Sequence, residues 1–170
     1  MIRPARLTSL LVPAIALIVV AAQNTAGQTP AGKACGLVTE SELQSVLGGN
    51  VSLKGGSIGE VQMCSGQAQN ATVMLRLFKR TTDPAGGAEK AGIDAVKKMG
   101  VQVEAKTVGG TMCTTMVPPA NMAQMGFGTT CTVTSKAPMF AVIEITAKTQ
   151  KDMVPMEKLR AVAEKMATRF

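Results

Sequence analysis

The sequence predicts an α+β domain: one antiparallel sheet, helices packed on one of its faces, and two disulfides. Three observations point there. Apolar and polar residues alternate with period two in several segments, most cleanly in ATVMLRLFKR at 71–80, where Val73, Leu75 and Leu77 point one way and Met74, Arg76 and Phe78 the other. Between such segments, apolar residues recur at helical spacing. Four cysteines stand in a chain whose start reads as an export signal, and in an oxidising compartment four cysteines read as two bridges.

The start of the chain sets the compartment. MIRPARLTSL carries Arg3 and Arg6 without an acid, and LLVPAIALIVVAA follows as an apolar run ending in small residues. That is the layout of a secretory signal peptide, assigned to residues 1–22 with cleavage after Ala22; cleavage after Ala26 or Gly27 also fits. The run is shorter than the ~20 apolar residues of a spanning helix and contains Pro13, and no second run of that kind follows, so no transmembrane segment is expected in the mature chain. The expected location is periplasmic or extracellular. Residues 23–34, QNTAGQTPAGKA, read as a flexible linker, and residues 35–170 as a single disulfide-stapled domain.

Within that domain, Thr39 and Glu42 form a capping box that starts a short helix over about 40–47, ended by Gly48-Gly49. A strand at 51–54 leads into the turn GGSIGE and a second strand at 61–68 that contains Cys64. The alternating strand 71–80 follows. Asp83-Pro84 is an N-cap and first-turn pair for a helix that runs to Gly100, with Ile93, Val96 and Met99 as its apolar stripe. Strands are expected at 101–108, 111–117, 128–135 and 139–147, with a loop over 119–128. Pro155 starts a final helix whose stripe is Met156, Leu159, Val162, Ala163 and Met166. Each half contains a cysteine-bearing strand, a turn, an alternating strand and a helix, a weak internal ββα repeat. Four cysteines allow three pairings. Sequential pairing, Cys35–Cys64 and Cys113–Cys131, matches this local order.

The stretch CGLVTESELQSVLGG, a glycine-rich turn and then Cys64 in a strand resemble the opening of small cysteine-containing bacterial cell-envelope domains of unknown function. The resemblance covers about residues 35–80. This chain departs from it in lacking a lipobox and in carrying Ser65-Gly66 where an aromatic residue is common. The resemblance implies an envelope location and a sheet-plus-helices fold of the PsbP/Mog1 type. It implies no activity.

Composition narrows the chemistry. The chain has no histidine, so neither a Ser-His-Asp triad nor histidine acid–base catalysis is available. No Cys-x-x-Cys, phosphate loop or paired-carboxylate pattern stands out, and no cofactor motif is read. With no Trp or Tyr and four Phe, the stacking platform of a single-strand nucleic-acid binder is missing. Asn50-Val-Ser52 and Asn70-Ala-Thr72 are glycosylation sequons, relevant in a eukaryotic source. The expected role is therefore non-enzymatic: a binding or structural domain of the envelope, whose partner is an envelope protein or an anionic polymer or lipid. Without Arg3 and Arg6 the 18 cations fall to 16 against 11 acids, a net charge of +5. The candidate anion contacts are Lys97 and Lys98 at the end of one helix and Lys158, Arg160, Lys165 and Arg169 on the other, which form one patch if both helices cover the same face. The alternative is a soft-metal site for Cu(I) in the methionine-rich segment 112–125, through Met112, Met116, Met122 and Met125. Methionine is also a common core filler, and the chain has 12 of them.

Overall fold

The computed structural model describes residues 33–79, 86–134 and 139–169, with side chains of the second helix described from Ala91 onward. The leader assigned to 1–22, most of the 23–34 segment and the Asp83-Pro84 helix start lie outside the described residues.

Seven strands form one antiparallel sheet: β1 (Ser52–Ile58), β2 (Val61–Gln67), β3 (Ala71–Lys79), β4 (Gln102–Val108), β5 (Thr111–Val117), β6 (Phe127–Thr134) and β7 (Met139–Ala147). Their order across the sheet is β1-β2-β3-β7-β6-β5-β4. Among the described residues three α-helices accompany them: α1 (Glu40–Leu47), α2 (Gly86–Lys98) and α3 (Met156–Ala167). Hairpins join neighbours within each flank, and the two flanks meet where β3 pairs with β7.

The strand register explains the core. Gly55, Cys64, Leu75, Ile143, Cys131, Cys113 and Lys106 stand in one row across all seven strands. Side chains alternate faces along a strand, so this row and its i±2 neighbours share one face. On it, Val73, Leu75, Ile143, Ile145 and Val133 are buried together with Leu43 of α1 and Leu159 and Met166 of α3. Aliphatic and sulfur-bearing side chains supply this interior, as a chain with four Phe and no Trp or Tyr requires. The predicted stripe of α3 is buried in full. The Thr39–Glu42 capping box forms, with Glu42 N–H donating to Thr39 Oγ1 at 3.2 Å and Thr39 N–H to Glu42 Oε2 at 2.9 Å.

Both expected disulfides are present. Cys35–Cys64 ties the segment before α1 to β2 over a separation of 29 residues, and Cys113–Cys131 joins directly opposed positions of β5 and β6 over 18. Cys64, Cys113 and Cys131 are fully buried.

Four details differ from the sequence-based expectation. The first strand continues through Gly55 and Gly56 to Ile58, because β2 supplies a register partner opposite each of those residues and leaves only Gly59-Glu60 to turn. Residues 120–125 form a 3-10 helix instead of an open loop. Ala34, assigned to the linker, is fully buried beside Cys35. The largest difference concerns α2. Its Val96 sits with Met116, Gly128, Glu144 and Thr146, which project from the sheet face opposite the cysteines. The face that holds the cysteines is already filled by α1 and α3, so α2 ends against the other one. Only Ile93 and Val96 of its described side chains are half-buried, and Met99, expected in the stripe, is 51% exposed because the helix stops at Lys98.

Candidate functional site: a cationic groove and a methionine cleft

Two depressions bear the candidate residues, one on each side of the sheet. The first lies between α1 and α3. Glu42, Ser45 and Val46 form one wall and Lys158, Ala161, Val162 and Lys165 the other, around roughly 270 Å³. The helices approach because Leu43, Leu159 and Val162 share the core beneath them. Glu42 is the only acid in the groove, and it is occupied. Arg169 donates from Nη1 to Glu42 Oε2 and from Nη2 to Oε1, both at 2.7 Å, and Nη1 also donates to the Leu37 carbonyl at 2.8 Å. The Arg169 guanidinium, with help from the Thr39 bonds, holds the Glu42 carboxyl down at about 2, while partial desolvation works in the opposite direction. A two-pronged, charge-assisted pair of this kind is the strong form of an ion pair. Lys165 Nζ lies 3.8 Å from the same carboxylate. With Glu42 balanced by Arg169, Lys158 and Lys165 leave the groove net positive.

Of the six cations expected to form one patch, the structure brings together Lys158, Lys165 and Arg169. Arg160, also on α3, pairs with Glu164 at 3.5 Å. Lys97 and Lys98 end α2, whose neighbouring Val96 lies against the opposite sheet face, so they stand apart from the α3 cations. The single patch across both helices therefore does not form. Glu42 is the residue that sequence reasoning missed. Its local capping role was visible, but its partner is 127 residues away and nothing local announces that contact.

The second depression, about 80 Å³, opens on the other face beside β5 and β6. Val96, Val101, Met116, Pro118 and Met125 give it an apolar lining, and Glu144 and Thr146 of β7 stand at its edge. Glu144 accepts from Arg76 Nη2 at 2.5 Å, so this carboxylate too is neutralised within the fold. Beyond the pair, Phe78 and Phe140 stack directly across β3 and β7 with ring centroids 4.8 Å apart. Of the four candidate metal-binding methionines, Met116 and Met125 share the cleft. Met122 precedes Met125 by three residues on the 3-10 helix Ala120–Met125 and is half-buried. Met112 lies on the same face of β5 as Met116, about 13 Å away along the strand. The cysteines of this segment are joined to each other and supply no thiolate.

No protein-family model, no curated protein and no solved structure is significantly similar to this chain.

Proposed function

We propose that the protein is an exported, non-catalytic binding domain of the cell envelope that attaches through the α1–α3 groove to phosphate-bearing envelope material. One observation carries the reading: Lys158 and Lys165 line the same groove, and its one carboxylate is already taken up by Arg169. Arg169, Lys165 and Lys158 together outnumber the one carboxylate, so the groove carries surplus positive charge that attracts an anion, and near an anionic surface each lysine contributes on the order of 1 kcal/mol. Export is supported by the leader-like start of the sequence and by two disulfides, and among the described residues no helix is long and apolar enough to cross a membrane. The resemblance of residues 35–80 to envelope domains points to the same compartment. A role without catalysis rests on the missing histidine and on the fact that Glu42 and Glu144 are both committed to arginines.

Co-sedimentation tests this. Vesicles rich in anionic phospholipid and a soluble polyphosphate polymer separate a lipid surface from a polymer as the source of the phosphate. Binding to at least one is expected at low salt and should fade as salt shortens the screening length to about 8 Å and below. The Lys158→Gln/Lys165→Gln variant should bind on the order of tenfold more weakly. Lys97→Gln/Lys98→Gln, on the other side of the sheet, should bind as the unmodified protein does. Binding that is indifferent to salt, or that falls equally with either pair, would refute the groove.

A further inference from the structure

Resting on the reading of the α1–α3 groove as an anion site, we infer that its occupant is a linear phosphodiester polymer, with phosphates separated by neutral polyol or sugar units, that lies lengthwise along α3.

The groove has a direction. Glu42, near the start of α1, meets Lys165 and Arg169 near the end of α3. Ser45 and Val46, further along α1, line the groove with Lys158, Ala161 and Val162. The two helices therefore run past one another in opposite senses, and the groove follows α3. Lys158 and Lys165 are seven residues apart on that helix, nearly two full turns, so they stand on one side of it about 10 Å apart along the axis. Lys165 Nζ lies 3.8 Å from the Glu42 carboxylate, which draws its ammonium towards the α1 wall. A single phosphate sits at one cation, whereas a chain with phosphates about that far apart reaches both.

Between the cations the groove is uncharged. Val46 and Val162 supply apolar surface, and Ser45 and Ala161 are small and exposed. The Ser45 hydroxyl donates to the Glu42 backbone carbonyl at 2.7 Å, within its own helix. The neighbouring acids of α3 are engaged elsewhere: Glu157 lies 3.8 Å from Lys106 of β4, and Glu164 lies 3.5 Å from Arg160. A neutral middle between two positive ends complements a chain that alternates phosphate with neutral carbon units, whose C–H surface covers Val46 and Val162 while its phosphates meet the ammonium groups. A flat bilayer fits less well, because its surface does not enter a depression between two helices. Ala161 decides entry. Its single methyl leaves the space between Lys158 and Lys165 open, and a larger side chain there fills that space without changing the charge.

The test separates shape from charge, with poly(glycerol phosphate) as the probe in calorimetric titrations. Ala161→Leu should weaken its binding on the order of tenfold by obstructing the groove. Ala161→Ser, close to alanine in size, should leave it unchanged, and any attachment to vesicles rich in anionic phospholipid should be the same in both variants as in the unmodified protein. Ser45→Leu obstructs the groove from the α1 wall and should act as Ala161→Leu does; it decides the matter if circular dichroism shows that Ala161→Leu fails to fold. Poly(glycerol phosphate) should also bind at least as well as polyphosphate matched in phosphate content, although its charge is less dense. Weakening by Lys158→Gln/Lys165→Gln together with normal polymer binding in both leucine variants would overturn the lengthwise seating while leaving the anion site in place. Normal binding in the lysine variant would refute the anion site itself. A clear advantage for polyphosphate, or vesicle binding that falls with the leucine variants, would overturn the polymer in favour of charge density alone or of a lipid headgroup.

Discussion

Along β3, Val73, Leu75 and Leu77 are buried while Met74, Arg76 and Phe78 between them are half-buried, and β7 repeats the pattern with Ala141, Ile143 and Ile145 against Val142, Glu144 and Thr146. The same two strands therefore present two different surfaces. One is sealed by α1 and α3 and carries three of the four cysteines in its central row. The other carries methionines, a stacked phenylalanine pair and the Arg76–Glu144 ion pair, and among the described residues it meets the end of α2 and the 3-10 segment that ends at Met125. The difference teaches that alternation divides labour within each strand: cohesion depends on one set of side chains, and the other set is free to vary in chemistry at small cost to the fold.

Mutating each face in turn puts that division to the test, beginning with the largest effect. Leu75→Ala opens a cavity at the centre of the sealed face and should lower stability by about 2–5 kcal/mol. Val142→Ala, on β7's other face, should cost about 1 kcal/mol or less. Urea denaturation of both compares them directly, and equal losses would mean that the second face is as well packed as the first. The cross-links come next. Replacing Cys35 and Cys64, or Cys113 and Cys131, by alanine should cost about 3 kcal/mol for each pair, with the 29-residue separation a few tenths more important than the 18-residue one, because a longer loop in the unfolded chain is constrained more. A loss well under 1 kcal/mol for either pair would show that helix packing alone holds the sealed face.

The smallest effect lies at the rim of the sealed face, at Glu42. Its carboxyl is held at about 2, below the ordinary carboxylate value of 4.5 that it regains on unfolding. The contribution of its pairing is therefore present above about pH 4.5 and is lost as pH falls from there towards 2. Solvent screening at this half-open position limits it to about 1 kcal/mol. Denaturation of the unmodified protein and of Glu42→Gln, measured at pH 6 and pH 2.5, should give curves whose difference is largest at pH 6 and clearly smaller at pH 2.5. A constant difference at both values would remove the Arg169 pairing from the acid response.

Local patterns carried most of this architecture. The alternation at 71–80 and 139–147, the Thr39–Glu42 box and the α3 stripe each describe a contact between near neighbours, and each formed as expected. The disulfide pairing was legible for the same reason, since each bridge closes within its own flank of the sheet. What escaped was decided at long range. Nothing in residues 86–98 says which sheet face α2 will meet; that depends on α1 and α3 having filled the other. Gly55-Gly56 read as a turn because glycine lacks strand propensity, yet pairing with β2 overrode it. The candidate sites divide likewise. Lys158 and Lys165 were recognisable as exposed positions on a helix, whereas the neutralisation of Glu42 by Arg169, which makes their groove positive, joins the two ends of the described domain.

The seam between β3 and β7 has a consequence for how the chain is completed. Every other strand pairing follows a hairpin, and closing a short loop costs little entropy. The seam alone joins segments 68 residues apart, as the Arg76–Glu144 pair records. A chain emerging in order from its N-terminus can zip β1, β2 and β3 at once, but β3 then presents a bare edge, with Val73, Leu75 and Leu77 uncovered, until almost the whole chain has followed. An open, apolar edge is a template for the wrong partner. Late arrival of β7 makes the first flank the part of this protein that most needs shielding between synthesis and its final form.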